Sequence, residues 1–236
     1  MNNIIFDTPK ETAEAFGDYL MKQAASTDSY HCALSGGSTP KILFDYLSDK
    51  YADSPLWSRI FFYWGDERCV PPTDNESNYK MTKERLLDKI DIPAENILRV
   101  HGENDPKKEA DRYANEIMEH APIMKGLPVF DMVILGMGED GHTASIFPHE
   151  MHLMSSERLC EVATHPTSGQ KRVTLTGHVI NSARDVVFLV TGDGKKDKVK
   201  EIFKKEGEYT TYPAAHIFPM DGKLTWYLDA AAAAKL

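Results

Sequence analysis

Asp140 and His142 flank Gly141 within the stretch Gly136-Met137-Gly138-Glu139-Asp140-Gly141-His142-Thr143-Ala144-Ser145. A carboxylate two residues from an imidazole can fix its tautomer or raise its basicity, the pairing that a general base uses. The same residues would also suit a capping Asp beside an exposed His, so catalysis requires a cleft around them. A second stretch, Ser35-Gly36-Gly37-Ser38-Thr39-Pro40, has the makings of an anion cradle. Its glycines let the backbone approach a ligand, its hydroxyls donate, and Pro40 suits a first helical turn whose free amides face outward. An ordinary strand-to-helix turn shares that composition. Arg68 and Lys195 are single cations that follow apolar runs, and Arg172 opens another run as a weaker candidate. In a chain of net charge −9, cations at a ligand edge are what a phosphate would need.

Three other chemistries fit these residues less well. Ala33-Leu34-Ser35-Gly36-Gly37 is one residue from the G-x-S-x-G nucleophile elbow, with Ala33 where the first glycine belongs. Gly136-Met137-Gly138-Glu139-Asp140-Gly141 matches G-x-G-x-x-G, but Pro148 cuts short the long helix a pyrophosphate needs, and Asp140 would face that anion. His142, His149 and His152 are separated by 7 and 3 residues with Pro148 between, which is not a helical metal-ligand pair. No metal site is expected.

The elements that must position these residues follow from apolar patterning. Strands are expected at Asn3–Phe6, His31–Leu34, Arg59–Trp64, Val129–Leu135, Arg172–Thr176, Val186–Val190 and Leu224–Leu228. Between them, Thr8 can cap a helix carrying Ala13, Phe16, Leu20 and Ala24 on one face. Others are expected over about Ser77–Ile90, around Ala110, Tyr113, Ala114 and Ile117, and from near Lys195 with Val199, Ile202 and Phe203 inward. Runs such as Met132–Leu135 and Val186–Val190 are apolar at every position, so both faces must be covered. The expected fold is α/β: a three-layer α/β/α sandwich with a mostly parallel, Rossmann-like central sheet, forming one domain over residues 1–236. Trp57, Trp64 and Trp226 sit among apolar neighbours and are read as core, and Ala230–Leu236 as a frayed tail. Four runs lead directly into Ser35–Pro40, Gly65–Arg68, Gly136–Ser145 and Thr191–Lys195. In an open parallel sheet these carboxyl ends share one edge, which gathers the chemistry into one cleft.

Composition bounds the alternatives. The 236 residues are 42% hydrophobic and 27% charged, as in a folded globular chain. The acidic balance argues against nucleic acid and anionic membranes as partners. Cys32, Cys69 and Cys160 form an odd set without tight spacing, so reduced thiols in a cytoplasm are expected. MNNIIFDTPK lacks the basic and apolar regions of a secretory signal, and no apolar run is long enough for a membrane span. A monomer is expected, with a homodimer left open.

These residues resemble the 6-phosphogluconolactonase family, within the wider glucosamine-6-phosphate isomerase/lactonase superfamily. SGGSTP (Ser35–Pro40), GDERCVPPTDNESNY (Gly65–Tyr79), LGMGEDGHTASIFP (Leu135–Pro148), RVTLT (Arg172–Thr176) and the Gly192–Lys195 turn carry the likeness in family order. It implies hydrolysis of 6-phospho-D-glucono-1,5-lactone to 6-phosphogluconate, without metal or organic cofactor, on a small-molecule sugar phosphate lactone. By the same resemblance His142 is the base that activates water, with Asp140 beside it. The phosphate grip is Ser35, Gly36, Gly37, Ser38 and Thr39 with Arg68, Lys195 and Arg172, while Asp66, Gly138 and Gly141 complete the cleft. The related aldose–ketose isomerases would use Asp66 as a carbon base. They need a carboxylate just before the proline ending the GHxAxxxP segment, where this chain has Phe147. A phosphosugar-sensing regulator would need a DNA-binding region, for which there is neither spare length nor a basic helix.

Overall fold

Apolar strands covered on both faces are what the computed structural model, which describes residues 2–236, contains. In chain order the elements are β1 (Asn2–Phe6), α1 (Pro9–Ala24), β2 (Tyr30–Leu34), α2 (Ser38–Lys50), β3 (Ile60–Trp64), β4 (Asp66–Arg68), α3 (Asn78–Arg85) and α4 (Pro106–His120). They continue with β5 (Ile123–Met124), β6 (Leu127–Pro128), β7 (Met132–Leu135), β8 (Cys160–Thr164), β9 (Lys171–Leu175), α5 (Gly177–Ile180), β10 (Asp185–Val190), α6 (Lys196–Lys204) and β11 (Lys223–Asp229). The central sheet runs β1-β11-β10-β7-β2-β3, and every neighbouring pair in it is parallel.

Side chains alternate across each strand, and this sets the layers. On β11, Trp226 stacks on Phe188 at 3.9 Å and meets Phe203 of α6 edge-on. Its neighbour Tyr227 points the other way, into Phe16 of α1 at 5.2 Å. Helices α1 and α6 therefore cover opposite faces, and α2 packs beside α1. Thr8 and Glu11 form a reciprocal capping box at α1, whose buried face includes Ala13, Phe16, Leu20 and Ala24. Edge strand β3 is closed by Tyr113 of α4, whose hydroxyl accepts from Trp64 N (2.8 Å) and donates to Trp64 O (3.0 Å). All three tryptophans are buried, and all three cysteines are free thiols. Among the described residues no helix is long and apolar enough to cross a membrane.

Four expected elements differ. Arg172–Thr176 does form a strand, but β9 joins a separate antiparallel sheet, β4-β9-β8, instead of the central one. The helix expected over Ser77–Ile90 stops at Arg85, because Leu86 leaves helical geometry so that Leu86 and Leu87 can both be buried. The strand expected from Val129 starts only at Met132; Val129 N instead bonds to the Pro122 carbonyl, beside the β5–β6 hairpin. The alanine run after β11 is a tied turn: Asp229 accepts from Ala232 N at 2.8 Å, and Ala232 is fully buried.

The crossover pattern defines the crevice. Strand β2 leads to β3 on one side, whereas β7, on its other side, leads away toward β10. The sheet order reverses between β2 and β7, and ligands of open α/β sheets bind outside the carboxyl ends at such a point.

Candidate active site

A cleft of about 250 Å³ opens at that reversal, and its walls are the loops after β2, β3, β7 and β10. The first wall is the Ser35–Pro40 turn. Gly37 precedes α2 with φ 113°, and no side chain caps the helix, so the first amides of α2 stay free. Thr39 shares a 2.7 Å hydroxyl contact with Thr191, which joins this turn to the loop after β10. Asn78 roofs the turn: a Cβ on Gly36 would lie 1.9 Å from Asn78 Oδ1, so only glycine fits.

Asn78 is held by Glu67. That buried carboxylate accepts from Arg68 N (2.7 Å), Asn78 N (2.8 Å), Tyr79 N (2.7 Å) and Ser77 Oγ (3.0 Å). It thus ties β4 to the start of α3. Burial pushes the Glu67 carboxyl up, and the backbone amides oppose that shift. Asn78 Nδ2 in turn donates to the Asp66 carbonyl at 3.0 Å.

Arg68 and Arg172 face each other in the β4–β9 register, an unfavourable pairing of like charges. Both have a buried Nε without a partner. Arg68 Nη1 donates to the Glu76 carbonyl. Arg172 Nη1 lies 3.9 Å from Asp66 Oδ2, and its guanidinium packs over the Phe147 ring at 5.6 Å. Burial lowers the Arg172 pKa from the ordinary arginine value, Arg68 adds to the effect, and Asp66 opposes it. Two guanidinium groups side by side at one cleft wall can receive an anion. Lys195 lines the same cleft from the turn before α6, while its neighbour Lys196 is tied to Asp193 at 2.6 Å.

The loop after β7 carries the titratable pair. His142 Nδ1 lies 2.6 Å from Asp140 Oδ1, and the same oxygen accepts from His142 N at 3.1 Å. Burial alone would raise the Asp140 carboxyl, but the hydrogen bond and charge of His142 outweigh it and hold the group at about 2. An ionised Asp140 assigns the Nδ1 proton to His142 and leaves Nε2 as the free acceptor. The glycine pattern closes this loop instead of opening a dinucleotide helix. Gly138 N bonds to the His142 carbonyl (2.9 Å), and a Cβ at Gly138 would sit 2.1 Å from His142 Nδ1. Phe147 is fully buried against the His142 ring at 4.8 Å.

Ser35, Gly36, Gly37, Ser38, Thr39, Asp66, Arg68, Gly138, His142, Arg172 and Lys195 all line this one cleft. Asp140 stands behind His142, and Gly141 packs away from the cleft against Tyr212. Ser35 Oγ donates to the Gly36 carbonyl at 3.3 Å, and no histidine is among its partners. His149 lies 3.9 Å from Glu150, and among the described residues no three His, Cys, Asp or Glu side chains are grouped to hold a metal. Sequence reading missed Asn78, Glu67, Thr191 and Ser145. Ser145 Oγ donates to Asp66 Oδ2 at 2.6 Å. All four stand inside stretches the sequence singled out, Gly65–Tyr79, Gly136–Ser145 and Thr191–Lys195, but their residue types gave them no separate role there.

Comparison with known proteins agrees with this fold. The family described as glucosamine-6-phosphate isomerases/6-phosphogluconolactonase matches residues 7–226. A 6-phosphogluconolactonase of Haemophilus influenzae is 45% identical over 233 residues, covering 98% of each chain. A solved structure described as the devB protein superposes with TM-score 0.96 at 43% identity, over 100% of this chain and 99% of that one. The 6-phosphogluconolactonase of Trypanosoma brucei superposes with TM-score 0.87 at 29% identity, over 100% and 98% of the two chains. With its cleft at the expected strand ends and likeness along its whole length, the chain belongs to the glucosamine-6-phosphate isomerase/6-phosphogluconolactonase family.

Proposed function

We propose that the protein hydrolyses 6-phospho-D-glucono-1,5-lactone to 6-phosphogluconate, with His142 as general base and no metal in the chemical step. That it is a lactonase hydrolase follows from the relatives bearing that activity at 42–45% identity. The observation that carries the mechanism is the sharing of one cleft by a carboxylate-held imidazole and a cationic anion cradle. The free amides at the start of α2, with Arg68, Arg172 and Lys195, bind the phosphate and so orient the ring. His142 Nε2 takes a proton from water, and the hydroxide attacks C1. As the tetrahedral intermediate collapses, protonated His142 returns the proton to the departing ring oxygen. A lactone is an activated ester, so one base and close positioning suffice.

Phe147 favours hydrolysis over isomerisation. It fills the place where a carboxylate would assist ring opening, and its buried ring can neither donate nor accept a proton. The direct test is acid release at constant pH from freshly made phospholactone, corrected for spontaneous hydrolysis, before and after dialysis against EDTA. Enzyme-dependent acid release that survives dialysis is expected. Loss on dialysis with recovery on adding a metal would overturn the metal-free step.

A further inference from the structure

We propose that Tyr212 is a positioning residue for the Asp140–His142 pair, an inference that rests on the reading of His142 as the base. Gly141, the residue between the two, is buried with φ 83°. A Cβ there would lie 2.6 Å from Tyr212 Cβ and Cγ, so the ring is pressed flush against the Gly141 backbone. The Gly141 carbonyl also accepts from Ala214 N at 3.1 Å, two residues beyond Tyr212. The segment Tyr212–Ala214 is thus a shelf beneath the loop.

The shelf is mounted on α6. The hydroxyl of Tyr212 donates to Glu201 and accepts from Lys198, whose ammonium lies 4.2 Å from the ring centroid. Lys198 and Glu201 follow Lys195 on the helix that Lys195 precedes. The Lys195 turn and the His142 loop approach each other a second time, since a Cβ at Gly194 would sit 3.0 Å from Glu139 Oε1. One short helix therefore fixes both a cation of the anion cradle and the surface against which the titrating loop rests. Within that loop Gly138 N bonds to His142 O at 2.9 Å, Gly141 N to Gly138 O at 3.1 Å, His142 N and Nδ1 to Asp140 Oδ1 at 3.1 and 2.6 Å, Thr143 Oγ1 to Gly136 O at 2.9 Å, and Thr143 pairs with Ile146, so the loop is tied mostly to itself. What sets the loop relative to the rest of the fold at Gly141 is the Tyr212 ring and the Ala214 amide, and only glycine takes its φ of 83° without strain. A displacement of about 1 Å in a reacting group can cost on the order of 10²-fold in rate.

The experiment uses the full chain with Tyr212→Ala, Tyr212→Leu and Tyr212→Phe. Steady-state kinetics on the phospholactone are paired with the downfield proton resonance of His142 Nδ1. Both truncations should lower kcat by about tenfold or more, leave KM within about twofold, and abolish or broaden that resonance. Tyr212→Phe keeps the ring and should restore both readouts to within about threefold of wild type. A truncated variant that melts cooperatively yet keeps kcat within about twofold overturns the proposal, as does a kcat loss with the resonance unchanged. Should both truncations fail to fold, Tyr212→Met, which keeps apolar volume but not the flat ring against Gly141, decides. A kcat about threefold lower with a broadened resonance supports the proposal, and no change in either overturns it. A His142→Ala enzyme with undiminished kcat would strike at the general-base reading instead, and the His142 resonance in the Tyr212 variants would still report whether Tyr212 holds the pair.

Discussion

At the scale of single residues, the proposed cleft has a grip and a base, and the two should fail in different ways. Arg68→Ala or Lys195→Ala should cost on the order of 1.5–3 kcal/mol in kcat/KM for the phosphorylated lactone, the worth of a charge-assisted contact. Unphosphorylated gluconolactone should be nearly unaffected, and equal losses on both substrates would remove these residues from the grip. Ser35→Ala should keep a substantial rate and wild-type melting, since the hydroxyl at Ser35 has no histidine to activate it; labelling of Ser35 by a fluorophosphonate with matching loss of activity would contradict this. The pH profile separates the pair. The hydrogen bond and charge of His142 hold Asp140 at about 2, so protonation of that carboxylate should not account for a loss of kcat/KM above about pH 4. Any acid-side limb above that range should be missing from His142→Ala if that residue is the base. Motif chemistry made these residues legible in sequence. Asn78 was not, because an asparagine at the start of an expected helix shows no role until Glu67 is seen to hold it over Gly36.

At the scale of elements, two glycines carry the close approaches that bring loops together, one in each half of the cleft. Gly36→Ala drives a methyl into Asn78 and should act mainly on KM, by deforming the cradle. Gly138→Ala drives a methyl into His142 and should act mainly on kcat. Kinetics of the two variants check the split, and a reversed pattern would mean that grip and base have been assigned to the wrong loops. Elements built from local pattern were readable in advance. The Thr8–Glu11 box starts α1, and the unbroken apolar runs of β7 and β10 demand cover on both faces. The antiparallel sheet was not readable, for a physical reason. Strand β4 is three polar residues, Asp66-Glu67-Arg68, and it owes its existence to pairing with β9 a hundred residues away. That sheet sets Arg68 beside Arg172. Similarly, nothing local to Tyr212 announces the loop at Gly141, because their contact exists only once α6 has docked.

At the scale of the whole molecule, the proposed binding of a dianionic sugar phosphate by an acidic chain of net charge −9 rests on the three cations and the start of α2 that converge at one crevice. The same convergence limits the chemistry. With Asp66 engaged by Ser145 and Phe147 packed on His142, the parts for isomerisation are missing, so glucosamine 6-phosphate should release no ammonia. A coupled ammonia assay checks this, and sustained turnover would restore the isomerase reading. The most direct test of the central claim is steady-state hydrolysis of freshly prepared 6-phosphogluconolactone by wild type and His142→Ala. Because base and grip lie on separate loops of one cleft, kcat should fall by roughly 10²–10⁴ with little change in KM. A His142→Ala enzyme whose kcat stays within about threefold of wild type, far inside the range for a positioned general base, would contradict the account.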